Sequence, residues 1–383
     1  MFLKKQYDFI FCGYGLSSSV ILYKMSKINY FLSKKILIIE STKDDVNKTW
    51  CFWDSNDSKW NSFLSKKWSE INFKSSDVSL DFKLNNMTYN MIKSQDFFKT
   101  IKKSIESKMN VETLYDEVLS VDHKPKNVKV KTKNHSFTAS KVFNSIPNFT
   151  PYKKNSDLKM LLQHFKGWTI KTKNKYFDDK KATIMDFSID QKNETRFFYI
   201  LPVSSNEALI EYTLFSKKEL SDFEYDQEIS NYLKDKGISD YKITSNEKGV
   251  IPMTCFDYSK YNTKNLINIG TSGGWTKPST GYTFKFIDKK SSQLLIFMEK
   301  NDDFRKFNKK TRFWYYDRIF LDVLYYQNHL GSHLFERLFK NNKIEKIFKF
   351  LDNESSLIDD LKITLSFPKF LFTKTFFKTL LKY

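Results

Sequence analysis

Arginine is scarce in a chain otherwise rich in positive charge. Of 64 basic residues in 383, only Arg196, Arg305, Arg312, Arg318 and Arg337 are arginine, and the net charge is +20. A nucleic-acid reader favours arginine for bidentate contacts to phosphate and guanine. Here lysine is spread along the chain rather than gathered in one block, so nucleic acid is not an expected partner, and a basic nucleic-acid-binding protein is the distant alternative. A lysine-rich surface also adheres to anionic lipid, and AT-rich codon usage produces the same composition. Cysteine is scarce too: Cys12, Cys51 and Cys255 are far apart and odd in number. They make neither a disulfide framework nor a metal cluster, which fits a reducing cytoplasm. His123, His135, His164, His329 and His333 show no zinc spacing, so no metal is expected. No apolar run reaches the length of about 18 residues that a spanning helix needs. Met1-Phe-Leu-Lys-Lys5 leads straight into the first predicted strand and leaves no room for a signal peptide. What is abundant is aromatic: 37 Phe, and 17% Phe, Trp and Tyr together, in a chain that is 40% hydrophobic. Such a chain folds, and its length predicts two packed subdomains rather than one core.

The opening forty residues carry the clearest pattern. Tyr7-Asp-Phe-Ile-Phe-Cys12 reads as a buried strand, Gly13-Tyr-Gly-Leu-Ser-Ser18 as a glycine turn, and Val20, Ile21, Leu22 and Met25 as an apolar-periodic helix. A second strand, Lys35-Ile-Leu-Ile-Ile-Glu40, ends on an acid. Strand, glycine turn, helix, strand and acid form the dinucleotide-binding fingerprint in its proper context. Gly13 permits the tight turn, Gly15 lets backbone approach a pyrophosphate at the helix N-terminus, and Glu40 suits a ribose hydroxyl. Ser18 replaces the third glycine, where a small residue serves helix–strand packing.

Further along, residues 69–92 and 111–143 read as short strands, with a helix start at Ser94-Gln-Asp96. Residues 165–215 are strongly β, and a strand at 264–269 runs into the glycine turn Gly270–Gly274. From about residue 283 the pattern is helical. The predicted fold is α/β: a Rossmann-like FAD-binding domain of the glutathione-reductase and hydroxylase type, an inserted antiparallel β-sheet substrate domain, and a helical C-terminal region. The expected division is 1–75, 94–150 and 245–300 for the FAD-binding domain, 76–93 and 151–244 for the sheet, and 301–383 for the helices. No second fingerprint exists for a tightly held nicotinamide, so a pyridine nucleotide would visit transiently or act through another protein.

Several segments carry a family resemblance. They are Asn47-Lys-Thr-Trp-Cys-Phe-Trp53, Leu161-Leu-Gln-His-Phe-Lys-Gly-Trp168, Ala182-Thr-Ile-Met-Asp-Phe187 and Phe197-Phe-Tyr-Ile-Leu-Pro202. Ala208-Leu-Ile-Glu-Tyr-Thr-Leu-Phe-Ser216, Gly249-Val-Ile-Pro-Met-Thr254, Ile269–Phe284 and Trp314-Tyr-Tyr-Asp-Arg318 follow. In this order the chain resembles the flavin-dependent bacterial lycopene β-cyclases. It departs at Ser18, at Asn47 where an acid is usual, and at Trp275 where Met or Ala is common.

The resemblance implies a non-redox isomerisation of a carotenoid, lycopene. A ψ end group is protonated, the cation is attacked by the neighbouring alkene, and loss of a ring proton gives a β-ionone ring. It also implies reduced FAD, with NAD(P)H as reductant, the flavin either stabilising the cation or transferring the proton. Other FAD-dependent enzymes of this substrate class, an ε-cyclase, a monooxygenase or a prenyl reductase, are the alternatives.

Protonating an alkene demands a dry acid of raised pKa. Glu211, among apolar neighbours, is the expected catalytic residue; the alternatives are a wet-face glutamate or a structural pair with Arg196. Gly13, Gly15, Leu16, Glu40, Lys48, Thr49, Gly270, Thr271, Gly273 and Gly274 are the expected cofactor-binding residues. Trp50, Phe52, Trp53, Trp168 and Trp275 are candidates to line a carotenoid tunnel, each equally suited to plain core packing. After Pro368, Lys374, Lys378 and Lys382 form one helical stripe opposite Phe372, Phe376, Phe377, Leu380 and Tyr383. This pattern predicts either an in-plane membrane helix or a helix packing its phenylalanines on the protein's own core. The expected location is cytoplasmic, peripheral to the inner membrane, and the oligomeric state is open.

Overall fold

The structure, a computed structural model, describes residues 5–43, 47–124, 126–147, 159–307 and 310–380. Within them Lys5–Cys12 is the central strand of a seven-stranded sheet. Lys35–Glu40 and Ser136–Asn144 flank it in parallel, Asn110–Tyr115 extends one side, and Leu266–Asn268 pairs with Ser136–Asn144. Val128–Thr132 and Val118–His123 continue it antiparallel. Phe9, Ile10, Phe11 and Cys12 are all buried, as a parallel strand covered on both faces requires. Helix Leu16–Met25 packs between helices Ser94–Glu106 and Phe284–Lys300 on one face. The expected strand at 264–269 is shorter, Leu266–Asn268.

A second seven-stranded sheet runs in the order Tyr241–Met253, Leu161–Thr172, Glu207–Ser216, Thr195–Ser204, Lys181–Asp186, Glu70–Lys74, Ser79–Lys83. It is antiparallel as predicted, except where Lys181–Asp186 lies parallel to Glu70–Lys74. Strand alternation decides what each residue of Glu207–Ser216 faces. Leu209 and Phe215 point to the core shared with the C-terminal helices; Ala208, Ile210, Tyr212 and Leu214 point to helix Asp222–Asp235 on the other side. A three-stranded sheet, Thr49–Ser55, Met87–Lys93 and Lys66–Trp68, shares both hydrophobic cores.

The C-terminal region is helical as expected: Arg312–Tyr326, Gly331–Asn341, Ile344–Leu351, Leu357–Ser366 and Lys369–Leu380. Aromatic stacking fastens it to the second sheet, Phe335 on Phe187 at 5.7 Å and Phe339 on Phe73 at 4.7 Å between ring centroids. Phe372 stacks on Phe367 at 4.8 Å and approaches Phe320, so this phenylalanine of the last helix faces the protein's own core. Lys374 is exposed. The side chains of Phe376, Phe377, Lys378 and Leu380, and residues Lys382 and Tyr383, lie outside the described set.

Candidate active site

The parallel strands of the first sheet point their C-terminal ends at one cleft of about 750 Å³. Its wall includes Gly15 and Leu16 after the first strand, Glu40 and Tyr115 at the ends of two others, Ser145 after Ser136–Asn144, and Gly270 and Thr271 after Leu266–Asn268. A ligand site outside the carboxyl ends of parallel strands is where open α/β sheets place one. Gly13 adopts φ +91°, a conformation L side chains rarely take, and donates its amide to Ile39 at 2.8 Å to turn the chain into the helix. A Cβ at Gly15 would meet nothing within 4 Å and would project into open space. Ser18, in the third glycine's place, is fully buried and donates its hydroxyl to the Gly13 carbonyl at 2.7 Å, so the substitution ties helix to turn. Glu40 is held by the amides of Tyr14 and Ser41, each at 2.7 Å. Lys48 and Thr49 also line the cleft, and Lys43, Lys99 and Lys102 add positive charge to it. Gly273 and Gly274 do not line it; they shape the turn behind Gly270, Gly274 as its left-handed cap at φ +68°.

Beside this cleft is a smaller, largely apolar pocket of about 120 Å³. The two share Thr49, Trp50, Phe165, Glu247, Ile251 and Thr283. Glu211 lines the small pocket with Leu209, Thr213, Phe197, Phe215 and the phenols of Tyr89, Tyr199 and Tyr282. Glu211 is 8% exposed, so it is not on a wet face. Nor does it pair with Arg196, which is bound to Glu194 at 2.6 Å and to the Tyr212 hydroxyl at 3.2 Å.

The partner of Glu211 is another glutamate, which inspection of the sequence missed. Strand Leu161–Thr172 separates Glu207–Ser216 from Tyr241–Met253, and Gly167 stands in register with Glu211 on one side and Glu247 on the other. Because Gly167 has no side chain, the two carboxyls meet over it. A Cβ there would come within 3.2 Å of the Glu211 Cβ and 2.9 Å of Leu209 Cδ1. Burial drives both carboxyls above the usual range, and the charge of Glu247 raises Glu211 further. Two adjacent buried carboxyls share one proton. The Thr49 hydroxyl donates to Glu247 at 2.7 Å and holds it toward the charged form. The hydrogen bond between the carboxyls favours the proton on Glu211. Thr213 steadies Glu211 with a hydroxyl at 2.7 Å. The arrangement is a dry carboxylic acid beside a carboxylate, facing apolar and aromatic walls. Two signals in the sequence pointed to it: a glycine inside a strand, which marks a close approach, and a lone acid two residues before Gly249.

The five aromatic candidates part company. Trp50 lines both the cleft and the pocket. Phe52 stacks on Phe284 at 4.3 Å in the core. Trp53 stacks on Phe348 at 4.2 Å and donates to Asp352 at 2.7 Å. Trp275 is buried against Phe307. Trp168 follows Gly167 by one residue, so alternation turns it to the opposite face of the sheet, where it donates to Asp226 at 3.1 Å.

The turn following Gly270 is anchored from the C-terminal helices. Lys277 is 1% exposed; its ammonium lies 2.9 Å from Asp317 Oδ1 and 2.7 Å from Asn353 Oδ1. Ser279 donates to the same Asp317 carboxylate at 2.6 Å. Asp317 belongs to the Trp314–Arg318 segment, and this pair ties that segment to Ile269–Phe284. Among the described residues no group of three or more His, Cys, Asp and Glu could hold a metal, and no helix is long and apolar enough to cross a membrane.

Comparisons with known proteins agree with this geometry. Lycopene beta-cyclase of Pantoea ananas is 26% identical over 294 residues, covering 73% of this chain and 72% of that protein. Solved structures with the same fold include a geranylgeranyl bacteriochlorophyll reductase-like protein from Thermoplasma acidophilum, with a TM-score of 0.56, 12% identity, and coverage of 95% of this chain and 91% of that one. The halogenase PltM in complex with phloroglucinol and FAD has a TM-score of 0.61 at 11% identity, covering 93% of this chain and 83% of that one. The fold is thus the Rossmann-type FAD-binding fold of such reductases and halogenases. The family model described as lycopene cyclase protein matches residues 8–377, and the chain belongs to that family.

Proposed function

We propose that this protein is a lycopene β-cyclase that works with reduced FAD and converts acyclic ψ end groups of lycopene into β-ionone rings, giving γ-carotene and β-carotene. The observation that carries the reading is the buried Glu211–Glu247 pair at the junction of a nucleotide cleft and an apolar pocket. Alkene protonation needs a dry acid among apolar walls, and this pair supplies one.

The residues present fit FAD. Glu40 suits the ribose, the open backbone at Gly15 and the lysines of the cleft suit the pyrophosphate, and Gly270 and Thr271 close the cleft opposite. Reduced FAD, when bound, supplies negative charge or a proton beside the reacting end group, and NAD(P)H is the proposed reductant.

The chain's own chemistry starts at Glu211, whose carboxyl gives its proton to the terminal double bond. The resulting cation lies against two carboxylates and the rings of Trp50, Tyr89, Tyr199 and Tyr282, which favour positive charge. The neighbouring alkene attacks, closing the ring. A carboxylate of the pair then takes the ring proton, and the hydrogen bond between them returns it to Glu211. One proton enters and one leaves, so substrate and product are isomers. The apolar walls keep out water that would otherwise trap the cation. Lycopene dissolves in bilayers, so the enzyme works at a membrane surface, on the cytoplasmic side.

Expression in a lycopene-accumulating bacterium tests this reading. The expected pigments are γ- and β-carotene, of unchanged mass. A product with added oxygen or hydrogen overturns the reading in favour of a monooxygenase or reductase, and an ε ring overturns the β assignment.

A further inference from the structure

Helix Leu357–Ser366 is inverted relative to an ordinary surface helix. Its inward side carries Asp360, Ile363 and Ser366, all buried. Its outward side carries Leu357 at 67% exposure, Ile358 at 67%, Leu361 at 59% and Leu365 at 50%. These four span about 100° of the helix, a full apolar stripe. Phe370, 83% exposed, continues it at the start of the next helix. Single exposed leucines are ordinary, but a contiguous set of large ones marks a contact surface.

The acids of the helix are taken up elsewhere: Asp360 with Arg312 and Asp359 with Lys346, each at 2.6 Å. Lys362, Lys369 and Lys374 are exposed around the stripe. Apolar centre and basic border match an anionic bilayer, in which aliphatic side chains enter the acyl region and lysines meet phosphates. A second copy is a poor occupant, because each chain carries a net charge of +20.

A second observation continues the surface inward. Thr364, Phe367 and Phe372 line an apolar cavity of about 60 Å³ with Phe320, Phe335 and Thr280. Thr280 also lines the Glu211 pocket.

We propose that the outward face of Leu357–Ser366 inserts into an anionic bilayer, and that a polyene end passes from the lipid beside this helix, through the phenylalanine-lined cavity and past Thr280, to Glu211. The route rests on the function proposed above; the surface does not.

Flotation of the full chain with phosphatidylcholine–phosphatidylglycerol vesicles, without substrate, tests the surface. The triple variant Leu357→Gln, Ile358→Gln, Leu361→Gln should lose vesicle binding by more than about tenfold, since three aliphatic side chains no longer enter the acyl region. Flavin content and circular dichroism should stay unchanged. Leu361→Trp, which asks less of folding, should gain indole fluorescence that brominated acyl chains quench, beyond the quenching of the parent chain. Unchanged flotation of the folded triple variant, or no added quenching, overturns the surface. So does a triple variant that changes only the sedimentation mass, which would assign the face to a second copy. For the route, Thr364→Phe fills the cavity and should slow cyclisation of vesicle-dissolved lycopene while leaving flotation intact; full-rate turnover overturns the route. Absence of any cyclisation by the parent chain, with flotation behaving as expected, counts against the proposed function and leaves the surface standing.

Discussion

Glu211 and Glu247 sit on strands that never pair with one another, yet their carboxyls meet, because Gly167 on the intervening strand has no side chain to keep them apart. Sharing one proton between two buried acids makes each dependent on the other. Glu211→Gln keeps the shape and removes the acid. Cyclisation should fall by about 10²–10⁴-fold, the usual contribution of a positioned acid, while FAD remains bound. Near-normal conversion of lycopene with reduced flavin would place the acid elsewhere.

The pair also sets a pH dependence. Glu211 in the folded protein holds its proton above the usual glutamate range, so activity should be present at low and neutral pH and be lost as pH rises through the raised value. Folding stability has the same sign: it is greatest below the unfolded value of about 4.3 and declines as pH climbs toward the folded one. Glu247→Gln removes the neighbouring charge, so the alkaline limb of kcat against pH should move to lower pH. A limb that stays in place shows that the two carboxyls do not share a proton.

Gly167→Val tests the meeting point itself. Its side chain would enter the space between Leu209 and Glu211, driving the carboxyls apart. Cyclisation should collapse, flavin should be retained, and the melting temperature should fall by the several degrees typical of an overpacked site. Full activity would mean that the two glutamates reach one another by another path.

Gly15→Val puts a branched side chain into the open space at the helix N-terminus. Flavin retention should be abolished on gel filtration. Full FAD occupancy in this variant would remove the cofactor assignment.

Much of this was legible in the sequence. Glycine turn, helix and Glu40 announced the nucleotide fold, because backbone geometry and hydrogen bonding are local. The strands around Glu211 followed from their β-branched and aromatic runs. What could not be read was whatever depends on strand order. Glu247 lies far from Glu211 in sequence and reaches it only because strand Leu161–Thr172 comes between them. The aromatic candidates failed to separate for a related reason, since Phe52, Trp53 and Trp275 differ from Trp50 in what packs against them, not in type. Trp168 lies on the opposite face because it neighbours Gly167, whose register with Glu211 appears only in the fold. Apart from Phe372 and Lys374, the side chains of the pattern after Pro368 lie outside the described residues; the exposed aliphatic stripe of Leu357–Ser366 was not read from the sequence, because its two acids find their partners, Arg312 and Lys346, only in the fold.

Asp317→Ala would leave the Lys277 ammonium buried without its carboxylate, beside the Asn353 side-chain oxygen and the rings of Phe286, Phe313 and Phe350. Breaking such a pair from one side costs about 3–5 kcal/mol, readable as a lower urea midpoint. A variant as stable as the parent would show that the pair is dispensable.

The same contact reaches into how the protein is made. Lys277 precedes Asp317 by 40 residues and Asn353 by 76. Synthesis runs from the N-terminus, and the turn that closes the nucleotide cleft is translated well before its anchors leave the ribosome. Until they emerge, the cation has no carboxylate to meet and must stay in water. The turn after Gly270 therefore lacks this anchor while the first sheet is being made, however early that sheet assembles. A chain ending between Ile287 and Asp317 would hold every residue that lines the cleft and still lack the carboxylate that meets Lys277.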